Sequence, residues 1–176
     1  MHWIDPQSLP ETTGTVSSLL FNQHGDADGV VLDRNRQVHL PPHLSASLQR
    51  RIRPGDRVAV RGVRPRGAPV IAAVRIAGPR GEVIDEGPHH AGHRPPPGPR
   101  KSRPVEIAGK IGCTLYAPRG EVCGALLETG EILRMAPHGN EGFADWLQVG
   151  SRIRAWGDAF VVGGRTVVDL GDLAPD

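Results

Sequence analysis

The strongest constraint on this chain is an internal echo. Gly25, Gly29, Leu32, Pro42, His43, Gly55, Arg57 and Gly62 recur without a gap, 95 positions later, as Gly120, Gly124, Leu127, Pro137, His138, Gly150, Arg152 and Gly157. Gly14 and Leu20 join them, on Gly109 and Leu115. Half of these matches are glycines, which mark backbone positions where a side chain does not fit rather than a shared catalytic apparatus. A repeat of this length in 176 residues predicts two small domains of roughly 70 residues each plus a connector. We place an N-terminal arm at 1–13, the first domain at 14–85, a linker at 86–104 and the second domain at 105–176.

Composition favours short strands over a helical bundle. Aromatics are 4% of residues, and there are 23 glycines and 17 prolines. The first copy begins with strand character from Gly14 to Phe21 and turns at 23–29. A hairpin of Val30–Leu32 and Gln37–Leu40 follows. After Pro41 and Pro42 the period changes: Leu44, Leu48 and Ile52 recur every four residues, as on a short amphipathic helix. Pro54, Gly55 and Asp56 end it. Arg57–Arg61 then alternates with Val58 and Val60 inward, and a last strand runs from Val70 to Ile76. The second copy repeats the order: Val105–Leu115, Gly124–Leu127, Ile132–Met135, a helix carrying Phe143 and Leu147, then Arg152–Trp156 and Thr166–Leu170.

Five short strands with a helix between the third and fourth, and a Pro-Gly-Asp turn into an alternating fourth strand, resemble the OB-fold, a five-stranded Greek-key barrel. The resemblance covers residues 14–77 and 105–171. It implies an all-β protein of two tandem OB-like barrels, each with one short helix. OB-folds bind oligonucleotides, oligosaccharides, proteins and metals, so the resemblance carries architecture rather than a ligand. The Pro-His elements at 42–43 and 137–138 are similar to those of a bacterial tandem OB-like family of uncharacterised activity.

The linker holds His89, His90, His93, Arg94, Arg100, Lys101 and Arg103 among prolines and glycines, a composition that favours extended states. The start of the chain shows no basic segment followed by an apolar run, and no apolar stretch is long enough to cross a bilayer. A cytoplasmic protein with no membrane partner and free thiols at Cys113 and Cys123 is expected.

Strand alternation puts Val31, Val38 and Leu40 inward and Val30, Leu32, Gln37 and His39 outward; Ala125, Leu127, Ile132 and Arg134 are the outward set of the second copy. Neither set offers an aromatic ring for base stacking. What remains is a basic fringe: Arg34, Arg36, Arg57, Arg61, Arg64 and Arg66, with Arg134, Arg152, Arg154 and Trp156 in the second copy. Guanidinium groups so placed suit phosphates, and Trp156 is a candidate stacking platform whose alternative is a solvated or inter-barrel face. Weak electrostatic binding of single-stranded DNA or RNA is therefore the preferred expectation.

The alternatives are a protein-interaction or assembly module in which Val30, Leu32, Leu127 and Ile132 meet a partner or the sister barrel, and a metal-binding protein using His24, His39 and His43. Only His43 recurs in the second copy, as His138, and a role for these two in capping or packing the helix start is preferred to a metal site. The Asp26–Gly29 run lacks the further acidic ligands of a calcium loop and is a turn. No phosphate loop, dinucleotide fingerprint, nucleophile elbow or C-x-x-C is present, so no enzymatic activity and no cofactor is expected.

Overall fold

In the computed structural model, residues 5–87, 100–136 and 141–176 are described. The chain is mostly β. Six strands form the first sheet: β1 (Glu11–Phe21), β2 (Ala27–Leu32), β3 (Arg36–His39), β4 (Arg57–Val63), β5 (Val70–Gly78) and β6 (Gly81–Ile84), in the order β3-β2-β1-β4-β5-β6. β3 pairs in addition with β5, in parallel. The remaining strands, β7 (Arg103–Tyr116), β8 (Val122–Leu127), β9 (Ile132–Arg134), β10 (Arg152–Val162) and β11 (Arg165–Pro175), form a closed barrel in the order β10-β11-β9-β8-β7. Each pairing of the barrel has a counterpart among β1–β5, including the parallel one, since Gln37 lies beside Val70 as Ile132 lies beside Val167.

Local chemistry explains where these elements begin and end. Buried and less buried residues alternate along β1, with Gly14, Val16, Ser18 and Leu20 on the buried side. Pro42–Leu44 is a short 3-10 turn that leads into helix α1 (Ser45–Arg51), and Leu48 and Ile52 are fully buried. The stop is chemical as well as conformational: Gly55 adopts φ +94°, which disfavours any side chain, and the Asp56 carboxylate accepts from Arg53 N (2.8 Å) and from Arg80 Nη1 (2.6 Å). At Gly29 and Gly124 the constraint is space, because a Cβ at either would overlap the carbonyl oxygen of Val38 or Leu133 in the neighbouring strand.

The sequence expectations need four corrections. The helix expected on Phe143 and Leu147 is not there: the described residues carry only a 3-10 turn at Glu141–Phe143, and Gly142 opposes helix by about 1 kcal/mol. β6 was not foreseen, being four residues that follow a tight turn at Pro79 and Arg80. The arm and linker are shorter than expected, because Glu11–Thr13 and Arg103–Pro104 are already strand. Trp3, His138 and the linker residues from 88 to 99, including its histidines, lie outside the described residues.

The fourth correction concerns the hairpin faces and decides the architecture. Val30 lies opposite Val38 and Val31 opposite Gln37. Directly opposed residues share a face, so Val30 sides with Val38, not against it. Every residue of β2 is buried. One side of the hairpin faces its own core, and the other is covered by β7–β9: Gln37 Nε2 donates to Tyr116 O (2.9 Å) and Tyr116 N donates to Gln37 Oε1 (2.7 Å). Cys113, Leu115, Ile132, Phe160 and Val167 of the barrel belong to the same buried cluster as Leu20, Phe21, Val31 and Val38. Ala125 and Leu127, expected outward, belong instead to the barrel's own core.

The first sheet and the barrel therefore share one continuous apolar core. Heat or denaturant should unfold the chain in a single cooperative transition seen identically by far-UV circular dichroism and tryptophan fluorescence, whereas two separated transitions would contradict a shared core. Ile132→Ala should destabilise this transition by about 2–5 kcal/mol.

Candidate nucleic-acid interface

Of the arginines picked out in the sequence, Arg134 is the clearest correction. It is only 4% exposed, in the contact between the two sheets. Its guanidinium donates from Nη2 to Asp28 Oδ1 (2.8 Å) and from Nε to Phe21 O (2.9 Å), and Nη1 lies 3.6 Å from Cys123 Sγ. Asp28 is 8% exposed, and burial pushes its carboxyl upward against the opposing pull of Arg134. This group is a structural ion pair with its donors satisfied and no phosphate within reach. The Asp28 of the supposed calcium-like run is thus an ion-pair partner.

The outer face of β10 carries Arg152, Arg154 and Trp156, and there the positive charge is largely cancelled. Arg154 bridges Glu106 Oε1 (2.7 Å) and Asp176 Oδ1 (3.0 Å), which together hold its proton more firmly than usual. Arg152 sits 3.9 Å from the other Asp176 oxygen. Trp156 is half-buried beside Glu106 and lines an open groove with Pro104, Val105, Gly157, Asp158, Gly171 and Asp172. With Glu106, Asp158 and Asp172 around it, this surface repels phosphates.

Arg61 is also committed. It pairs with Glu11 Oε2 (2.9 Å) and donates to Leu9 O (2.9 Å), fastening the segment before β1 to β4. Arg36 pairs with Asp33 and donates to Thr13 O (2.9 Å), and Arg57 lies within 3.5 Å of Thr13 Oγ1. Arg34, Arg64 and Arg66 are exposed and form no ion pair among the described residues.

Topology brings these free arginines together. Parallel pairing of Gln37 with Val70 sets the β2–β3 turn (33–35) and the β4–β5 loop (64–69) at the same end of the sheet. The β7–β8 turn (117–121) of the barrel meets them there: Gln37 holds the main chain of Tyr116, and a Cβ on Gly120 would lie 3.4 Å from that of Ala68. Arg119, on that turn, is exposed. The sequence signal for it is weak: at the repeat offset of 95 it stands where the first copy has His24.

The β2–β3 turn is held in an uncommon backbone shape. Asp33 and Arg34 have φ of +50° and +68°, a region that non-glycine residues rarely occupy. The Asp33 carboxylate accepts from Thr15 N (3.0 Å), which with Arg36 keeps it below the ordinary carboxylate range, and Arg34 N donates to Ser17 Oγ (3.1 Å). The acidic residues on these three loops are Asp33, already paired, and Glu121; Glu11, beside the end of β4, is paired with Arg61.

The histidines do not converge. His43 Nε2 lies 3.4 Å from Asp85, His24 acts on Asp169, and His39 lies near Asp28 and Arg134. Among the described residues no group of three or more His, Cys, Asp or Glu is placed to hold a metal. Cys113 and Cys123 are free; Cys113 is opposite Leu126 rather than Cys123, and burial pushes its thiol up to about 11. The apolar residues assigned to a partner or the sister barrel are buried: Val30, Leu32, Leu127 and Ile132 are at most 1% exposed, and of these Ile132 belongs to the cluster shared between the barrel and the first sheet. No helix among the described residues is long and apolar enough to cross a membrane. No protein-family profile matches the chain, and no curated protein matches it.

Two predictions follow from the buried pair. Arg134→Ala strands a buried carboxylate and should cost about 3–5 kcal/mol in denaturant unfolding, while pairing it with Asp28→Ala should recover part of that loss. His39 is held below its ordinary value by burial, so between that value, about 6.5, and its lower folded one the unfolded chain binds the extra proton. Stability should therefore fall as pH drops below about 6.5, and His39→Gln should flatten that slope in melts from pH 7.5 to 5.

Proposed function

We propose that the chain is a non-enzymatic, cytoplasmic binding module of two OB-like barrels that holds the phosphate backbone of single-stranded nucleic acid. One observation carries this reading. Arg34, Arg64 and Arg66, exposed and without ion pairs among the described residues, lie with Arg119 on three loops brought to one end of the molecule. The pairing circuit of β1–β5 and of β7–β11, each closed by a parallel third-to-fifth pairing with a connection between third and fourth strands, supports the OB-like assignment.

The reading departs from ordinary OB usage in one respect. The second- and third-strand faces that such folds commonly offer to ligands are here pressed against each other, around Gln37, Ile132 and Arg134. Binding is left to the loops. Arginine contacts to phosphate give affinity that depends steeply on salt and little on sequence.

Fluorescence anisotropy with labelled single-stranded DNA and RNA at low salt tests this. Saturable binding that weakens with salt is expected, with the log–log slope falling by roughly 0.7 per phosphate contact removed in the Arg64→Gln and Arg66→Gln variants. Arg152→Gln should leave both affinity and slope unchanged. No binding at low salt, or equal losses from Arg152→Gln, would overturn the reading.

A further inference from the structure

The loop end contains an aromatic ring as well as charge. Tyr116, the single tyrosine of the chain, closes β7 immediately before the turn that carries Arg119. Its main chain is fixed on both sides by Gln37, through Tyr116 N to Gln37 Oε1 (2.7 Å) and Gln37 Nε2 to Tyr116 O (2.9 Å). No other aromatic lies on the three loops, whose sequences are Asp33-Arg34-Asn35, Arg64 to Pro69, and Ala117 to Glu121.

Comparison within the chain shows that this residue is less enclosed than its counterpart. At the same offset of 95, the first copy has Phe21, which is fully buried and lies where a Cβ on Gly163 of the β10–β11 turn would overlap its ring. The matching loop of the first sheet places Ala68 and Pro65 against Gly120, and Tyr116 is half-buried rather than enclosed. An aromatic with a polar end suits a position half in water. Pro65, Pro69 and Pro118 restrict the surrounding loops, which lowers the entropy lost when a ligand orders them.

We infer that the β7–β8 turn completes the site, with Arg119 contacting phosphate and Tyr116 stacking on a base, so that the ligand is a single strand with accessible bases. This rests on the phosphate-binding reading above and deepens it. A duplex keeps its bases stacked inside and offers Tyr116 nothing, and a bare polyphosphate chain has no base. Both would engage the arginines alone.

The test compares four probes on the unaltered protein at one low salt concentration: a 15-mer oligothymidylate, an abasic strand of the same length, a duplex of the same length, and inorganic polyphosphate as competitor. The 15-mer should bind at least about fivefold more tightly than the abasic strand. Tyr116→Leu should remove that preference while leaving abasic and polyphosphate binding unchanged, and Tyr116→Phe should keep it. Arg119→Gln should weaken all probes together. Equal binding of 15-mer and abasic strand overturns the stacking assignment alone and needs no variant. An unchanged 15-mer affinity in Tyr116→Leu does the same, and no binding of any probe overturns the phosphate-binding reading with it.

Discussion

The contact between the two sheets rests on one buried ion pair. Arg134 reaches out of β9 to Asp28 on β2 and to the carbonyl of Phe21 at the end of β1, and Gln37 on β3 reaches the main chain of Tyr116 at the end of β7. Each sheet thus grips the end of the other's first strand. Taking an arginine and an aspartate out of water costs several kcal/mol per ion, which offsets much of the attraction within the pair. The apolar neighbours Leu115, Ile132, Phe160 and Val167 provide the favourable burial.

That docking has two consequences for function. It occupies the hairpin faces, so neither Val31 and Gln37 on one side nor Ile132 on the other is available to a ligand. It also carries the β7–β8 turn of the barrel to the β4–β5 loop of the first sheet, where Gly120 meets Ala68 and loops bearing arginines from separate sequence regions become neighbours. The basic end is a product of the interface. By contrast, the arginines of β10 were conspicuous in sequence yet are spent on Glu106 and Asp176.

Much of the fold was legible because it depends on short-range pattern. Alternation at Val58 and Val60, the four-residue spacing of Leu48 and Ile52, and the Pro54-Gly55-Asp56 stop each has a local cause. The face assignment of the hairpin was not legible, because Val30, Val31 and Leu32 are all apolar and only the register across the turn tells which side each takes. A continuous apolar run does signal burial on both faces, and that signal was present in Val30–Leu32 and Ala125–Leu127. Arg134 gave no such sign, since charged residues are almost never buried unless paired, and its partner is 106 residues away. Arg119 and Tyr116 acquire meaning only from the loops brought beside them.

The most direct test of the central claim is the footprint of a single-stranded oligonucleotide on the amide signals of the isotope-labelled full chain, followed by heteronuclear NMR at low salt. The account predicts concentration-dependent shifts confined to residues 33–36, 64–69 and 116–120, on both sides of the sheet contact. Shifts centred on Arg152, Arg154 and Trp156, with those three segments unmoved, would contradict it.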